Sequence, residues 1–397
     1  MTKVRSSSAV PAEGLSAVSA QPTSRPRTRK RLASTLSVVA ATIALAGCAS
    51  SSGGGSGSGG VSIAFANFTE QVPIFHTIHT TTDSLIKKAN VKVRWYNNNG
   101  DSATMLSNAR LMAQSKPDAI IEYPVSPDSA GLGSVLKQAG VPCVSVDLPT
   151  PGCTSLDVVA DAYGKQAAQA MAAAAKERGW SAANTTLLLG QNAAAGQTGN
   201  LAVQNFYATI APLLGYKPLT PSQITPSSTK LDRNAIQFDG QSALQPAYKA
   251  VTALLAGVPK TQHIILFTLN DESTVGALRA IDAQGKKDDV IVLGVGASPD
   301  AVKLLKTDSR WIGEIDVLSP FWGEYAIATA EQLAAGKKVE GKTPTQLPLP
   351  YIVMDKKSVE KYYPGSATAA VELPPLSGAL TYLAGAPVLD EIANVAK

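Results

Sequence analysis

The stretch His263–Leu293, HIILFTLNDESTVGALRAIDAQGKKDDVIVL, limits what this chain can fold into more than any other. It holds an apolar run (Ile264–Phe267), a polar turn (Asn270, Asp271, Glu272), a helical segment with apolar or small residues at 275, 277, 278 and 281, and a second apolar run (Val290–Leu293). That succession predicts a βαβ unit. Its strands are expected to be parallel and buried on both faces, because the crossover helix covers the sheet. In such a sheet a ligand sits beyond the carboxyl ends of the strands, which puts Asn270, Asp271 and the loop Gly294–Ser298 at the mouth of a site.

The same alternation fills the chain from Val61 to Asp355. Strands are expected at Val61–Ala66, Val91–Tyr96, Ala119–Ile121 and Val141–Val146, with helices at Pro73–Ala89, Ser102–Gln114 and Asp128–Ala139 between them. A second series follows, with helices at Gly164–Arg178, Gly199–Leu214 and Ser242–Ala256 around a strand at Thr186–Leu189. Beyond the central unit come helix Pro299–Lys306, strand Ile312–Ile315, helix Phe321–Leu333 and a strand near Tyr351–Asp355. The expected fold class is therefore α/β, with two doubly wound, Rossmann-like lobes joined by a multi-crossing hinge near Asp161 and Val317. The boundaries read as 61–160 plus 318–346 for the amino-terminal lobe and 161–317 plus 347–397 for the carboxyl-terminal lobe. A chain of 397 residues, 45% of them hydrophobic, has ample core for both.

Residues 1–47 read as a bacterial lipoprotein signal peptide. A basic stretch at 25–31 leads into the apolar run Leu32–Ala46, which is short for a bilayer span, and ends in Leu45-Ala46-Gly47-Cys48. This resembles a lipobox and marks Cys48 for lipidation and membrane anchoring outside the cytoplasm. The Ser/Gly tract up to Gly60 then reads as a tether, residues 48–60. Seven of the 35 basic residues and one of the 30 acidic ones precede Cys48, which leaves 28 against 29 in the mature chain. A neutral body of this kind excludes nucleic acid as a partner, since phosphate recognition needs clustered positive charge.

Five segments then carry a specific resemblance: VPIF at 72–75, PDAIIEYPVSPDSA at 117–130, AGVPCVSVD at 139–147, FTLNDESTVGALRAIDAQG at 267–285 and VLGVGASPD at 292–300. In order and spacing the chain from about 61 to 356 resembles the type 1 periplasmic binding proteins, in particular the ribose-binding group that serves ABC importers. The resemblance implies a monomeric, non-enzymatic protein that takes a small sugar or sugar-like ligand between its lobes, needs no cofactor or metal, and docks on a transporter permease. It places ligand contacts on Ile74, Phe75, Tyr123 and Asp147 in one lobe. In the other they fall on Asn200, Phe238, Asn270 and Gly296. The residues themselves add Phe68 as a ring in the first lobe and Asp271 as a polar group in the second. Stacking rings and bidentate Asp and Asn side chains suit the C–H faces and hydroxyls of sugars. Three positions depart from the pattern: Leu148 stands where an arginine is usual, Gly296 where an aspartate is, and Val317 where a hinge glutamine is. The alternatives are a less hydroxylated ligand, such as a nucleoside or an aromatic compound, or a sensing role at a membrane receptor. Glu272, Asp161 and Ser298 are the polar groups available to compensate. An enzyme using the same cleft is the distant third reading.

Competing motifs are weaker. Gly336–Thr343 matches the P-loop pattern, but a helix precedes it, Pro344 follows it and no strand feeds it. Gly294-Val295-Gly296 opens like a dinucleotide fingerprint, yet Pro299 stands at the third glycine. His76, His79 and Asp83 share a helical face without a fourth ligand, and with His263 as the remaining histidine no Ser-His-Asp set can be built. Cys143 and Cys153, the two thiols besides Cys48, form an even pair for an oxidising compartment and predict a disulfide. Four residues, Pro149 to Gly152, must then turn back a strand that has carried the chain roughly 16 Å from Cys143. The apolar tail Leu376–Val395 is expected to form a helix that packs on the second lobe.

Overall fold

The structure, a computed structural model, describes residues 60–87, 89, 91–125, 130–337 and 346–390. The leader, Cys48, nearly all of the tether, residues 126–129 and most of the P-loop-like stretch lie outside them. In chain order the first elements are β1 (Val61–Asn67), α1 (Pro73–Ile86), β2 (Val91–Asn97), α2 (Ser102–Ser115), β3 (Ala119–Glu122), α3 (Ala130–Ala139), β4 (Cys143–Val146) and β5 (Thr154–Asp157). The chain then forms α4 (Ala160–Glu177), β6 (Thr185–Gln191), α5 (Leu201–Leu214), β7 (Lys230–Asp232), β8 (Ala235–Asp239), α6 (Leu244–Leu255), β9 (His263–Thr268), α7 (Asp271–Ala283), β10 (Val290–Val295), α8 (Pro299–Thr307) and β11 (Trp311–Asp316). It ends with α9 (Trp322–Ala334), β12 (Gln346–Pro348), β13 (Ile352–Asp355), α10 (Val359–Tyr362) and α11 (Pro387–Asp390).

Two sheets result. The first runs β12-β5-β4-β3-β1-β2 and is parallel throughout. The second runs β13-β11-β10-β9-β6-β8-β7, with a parallel centre and one antiparallel strand at each edge. The central unit forms as β9, α7 and β10, and both strands are almost wholly buried. Two helix pairs lock together through glycine. A Cβ on Gly164 of α4 would lie 2.4 Å from the Ala202 carbonyl oxygen of α5, and one on Gly276 of α7 would lie 2.1 Å from that of Leu244 in α6. Backbone approaches this close leave no room for any side chain.

Sequence reading leaves out four short strands, β5, β7, β8 and β12, which have three to five residues each. The hinge has three crossings. Chain passes between lobes after β5, after β11 and again after β12, where the Leu349 amide donates to the Asp157 carbonyl at 2.7 Å. Because Gln346–Pro348 pairs with β5, the first lobe takes β12 whole and the second resumes at β13. The tail corrects a further expectation. α10 rests on α8 of the second lobe, but Gly378–Leu383 and α11 pack on α9 and β12 of the first. Gly385 and Pro387 break the expected helix into two short pieces. Leu380, Leu383, Val388 and Leu389 are buried there, covering the flank of α9 that the sheet leaves bare.

Candidate functional site

The carboxyl ends of the parallel strands from both sheets face the gap that the crossings span. Backbone strain gathers at the same ends. Asp147 (φ 68°) follows β4, Gln241 (51°) and Ser242 (50°) follow β8, Ala297 (53°) follows β10, and Val159 (51°) and Leu318 (54°) lie in two of the crossings. Left-handed backbone at residues other than glycine costs about 1–3 kcal/mol and persists where surrounding structure enforces it, as at ligand clamps and hinges.

In the first lobe a row of rings leads inward from the mouth. Phe68 stacks on Phe75 with centroids 4.7 Å apart, Phe75 meets Tyr123 edge-on at 5.9 Å, and Tyr123 stacks on Phe65 at 5.8 Å. Phe68 and Phe75 are half-buried, and Ile74 points to solvent. The Asn67 amide sets this corner by donating to Glu70 at 2.7 Å and to the Phe75 carbonyl at 3.0 Å. His76 and His79 both turn Nδ1 to Glu70, at 3.1 and 2.9 Å, whereas Asp83 pairs with Lys87. Tyr123 is 2% exposed, yet its hydroxyl has no partner among the described residues. Burial raises its pKa well above the usual range, and the charges of Glu324 and then Asp147 add to the rise.

Asp147 opens the loop that returns from β4 to β5. Parallel neighbours normally need a crossover of about a dozen residues. Here residues 147–153 make the return, and Cys143 and Cys153 are bonded at the starts of the two strands, their α-carbons 4.8 Å apart. Inside the loop Thr150 donates its amide to Ser145 Oγ at 3.2 Å, and Ser145 Oγ meets Ser155 Oγ at 2.8 Å. Asp147 is exposed, and its carboxylate accepts no hydrogen bond among the described residues. Crowding by surrounding groups, then the charge of Asp157, raises its pKa. Burial first, then the charges of Asp147 and Asp157, raises the pKa of Tyr163 on α4.

In the second lobe Asn270 caps α7. Its Oδ1 accepts from the Ser273 amide at 3.2 Å, and its Nδ2 donates to the Ser242 carbonyl at 2.9 Å and to Glu272 at 2.7 Å. Asp271 turns inward, 2% exposed, and accepts the Ser298 amide at 2.7 Å. Under the same loop Glu314, fully buried, accepts the Ala297 amide at 3.0 Å and Trp311 Nε1 at 2.9 Å. The two carboxyls converge on Gly294, where a Cβ would lie 2.1 Å from Glu314 Oε2 and 2.7 Å from Asp271 Oδ1. Burial first, and in Glu314 the charge of Asp271 next, pushes both pKa values up, that of Asp271 to about 7. Gly296 (φ 129°) has the Asp271 carboxylate beneath it, 3.2 Å from where a Cβ would be. A concavity of about 320 Å³ opens beside these groups, lined by Leu244, Asp271, Glu272, Val275, Ser298 and Pro299 among others.

Asn200 and Phe238 have other work here. The Asn200 amide donates to the Asn192 and Gly196 carbonyls at 2.7 and 2.6 Å, and its Oδ1 accepts the Asn192 amide at 2.9 Å, so it clasps its own loop. Phe238 is 5% exposed and packs in the core against Gly190. Sequence reasoning missed the buried acids. Glu324 starts α9 with neither oxygen meeting a donor in full geometry, and burial pushes it to about 8. Glu122 ends β3 with one oxygen taking Asn98 Nδ2 at 2.5 Å, and burial holds it well above its ordinary value. The one available signal is a glutamate closing an apolar strand, as in Ala119–Glu122.

A family model described as a periplasmic binding protein domain matches residues 63–338. The ribose import binding protein of Escherichia coli is 36% identical over 96 residues, covering 24% of this chain and 31% of that protein. The chain thus spans about a third of that relative's length. The ribose import binding protein of Bacillus subtilis is 25% identical over 271 residues, 68% of this chain and 80% of its own length. Among solved structures, an ABC transporter solute-binding protein from Mycobacterium smegmatis with bound glycerol superposes with TM-score 0.63 at 17% identity, over 79% of this chain and all of that one. One from Actinobacillus succinogenes with bound D-allose gives 0.61 at 17%, over 76% of this chain and all of that one. These likenesses show a common fold.

Proposed function

Because the chain belongs to the periplasmic binding protein family, we propose that it captures a sugar or sugar-like molecule between its two lobes and passes it to an ABC importer. The observation that carries this reading is the placement of ligand-ready groups on both sides of a three-crossing hinge. Tyr123 and Asp147 close strands of one sheet, and Asn270 and Glu272 follow a strand of the other. A ligand shifts an open–closed equilibrium only through contacts that differ between the two states, and contacts from both lobes meet that condition. Relatives that import ribose and neighbours holding D-allose and glycerol support a polyhydroxylated ligand. The cleft needs no cofactor, and a bound molecule is expected to leave it unchanged.

As a member of this family the protein works outside the cytoplasm. We further propose that Cys48 carries its lipid anchor and that it acts as a monomer. Expression of Cys48→Ser in a bacterium should release soluble or unprocessed protein, and retention at the processed size would refute the anchor. The capture reading is tested by calorimetry and small-angle scattering with a panel of pentoses, hexoses, amino sugars and polyols. At least one should bind and reduce the radius of gyration. Heat without compaction, or no binding across the panel, rejects it.

A further inference from the structure

We propose that the ligand of this cleft carries a positively charged nitrogen, as an amino sugar does. The inference rests on the capture reading above and narrows its ligand class. Asp147 is exposed, and among the described residues no donor engages its carboxylate; it follows β4 while Asp157 ends the paired strand β5, and the Asp147 amide donates to the Leu156 carbonyl at 3.0 Å. Two like charges therefore meet at the hinge end of the cleft. Among the described residues no lysine, arginine or histidine pairs with either. Lys165, one turn into α4, is bound to Asp161 at 2.9 Å.

The opposite wall has the same character. Asp239 accepts the amides of Ala193 and Gln241 at 3.2 and 3.1 Å, and Glu272 accepts from Asn270, so neither meets a cation. A second observation points to the same place: Tyr123 follows β3 and Asp147 follows the paired strand β4, and the Tyr123 hydroxyl, on a residue 2% exposed and unpartnered among the described residues, can accept a hydrogen bond. Beyond it the half-buried faces of Phe75 and Phe68 suit a cation near the mouth.

A neutral polyol can donate hydroxyls to Asp147 but leaves its repulsion with Asp157 in place. An ammonium group donates in the same geometry and cancels it, because an opposite charge within about 4–6 Å favours the ionised carboxylate.

The test is calorimetry at pH 7 on the whole mature protein with matched pairs, D-glucosamine against D-glucose and D-galactosamine against D-galactose, plus choline as a cation that is not a sugar. In at least one pair the amino sugar should bind about tenfold or more tightly, which corresponds to about 1.4 kcal/mol. Added salt should weaken it, and Asp147→Asn should bring the ratio close to one. Asparagine tolerates left-handed backbone, so the loop survives that change. Neutral sugars binding as well as their amino partners would overturn the inference and leave the capture reading standing. Binding of choline alone would keep the cationic ligand and overturn the sugar. Silence from all three cations would overturn the inference.

Discussion

Asp271→Asn should make this protein more stable at neutral pH, although it alters a buried group next to the candidate site. Asp271 and Glu314 are both almost fully buried, converge beside Gly294 and have no cation within the pair. Two carboxylates so placed resist ionising together, so the pair is expected to keep one proton at neutral pH. Glu314 already receives two N–H donors, which makes a proton donated from the Asp271 side the better arrangement. An asparagine at 271 reproduces it, with Oδ1 accepting the Ser298 amide and Nδ2 donating to Glu314. Burial pushes Asp271 up to about 7 in the folded protein, above its ordinary value of about 3.8. Its contribution to stability is therefore intact below pH 4 and is lost as pH rises through 7. The slope is about 1.4 kcal/mol per pH unit over that window, up to about 4 kcal/mol in all. Glu122, Glu324 and Asp316 shift the same way, so stability of the parent should fall from pH 4 to 8. They are common to both proteins and cancel in the comparison. Urea unfolding followed by tryptophan fluorescence from pH 4 to 8 gives the two curves. The variant should fall less steeply and cross above the parent. Parallel curves, or a variant less stable at every pH, would refute the shared proton.

Replacing both Cys143 and Cys153 with serine opens a loop with a sequence separation of 10 and should lower the unfolding free energy by about 3 kcal/mol, measured by urea titration without reductant. A loss under 1 kcal/mol would mean that the hydrogen bonds of Thr150, Ser145 and Ser155 hold the return loop unaided. Gly164→Ala should cost about 1–3 kcal/mol by calorimetric melting, since its Cβ meets the Ala202 carbonyl and α4 must move off α5. Asn270→Ala removes a helix cap and should cost about 1 kcal/mol of stability, with a further loss of ligand affinity seen by calorimetry at a temperature where the variant is folded.

The part of the fold that was legible in the sequence is the part with strong periodicity. β9, α7 and β10 announce themselves because two buried apolar runs flank a segment with helical spacing. β5 (TSLD) and β7 (KLD) are too short to show a period, and partner strands rather than their own residues make them strands. The disulfide was legible by counting thiols, and the return loop by its two prolines and glycine. Asn200 shows where such reading stops. Its residue type suits a ligand, but three backbone groups at Asn192 and Gly196 reach it first, and sequence carries no trace of that competition. Glu314 and Glu324 were missed for the opposite reason. In WIGEID and WGEYA a glutamate looks like a solvated position, and only tertiary packing places it under a loop or against another lobe element.

The tail gives the last prediction. Its first anchor is on the second lobe, where Tyr363 donates its hydroxyl to Asp316 at 2.6 Å and Lys306 holds the Gly365 carbonyl at 2.9 Å. Its second is on the first lobe, where Leu383 and Leu389 are fully buried and Tyr382 donates to the Lys337 carbonyl at 3.1 Å. The segment between anchors must therefore lengthen or shorten whenever the lobes move, and it limits how far they open. Releasing the second anchor should let the ligand-free protein open wider and weaken binding, because a smaller fraction then occupies the binding-competent state. Leu383→Ala with Leu389→Ala removes two buried side chains, at a cost of about 2–5 kcal/mol each if the site cannot collapse. Scattering on the folded fraction, at low temperature, should give a larger radius of gyration without ligand and an unchanged one with it, together with a few-fold loss of affinity. An unchanged radius in both states, alongside the expected loss of stability, would reduce the tail to a cover for α9 and leave lobe movement to the three crossings alone.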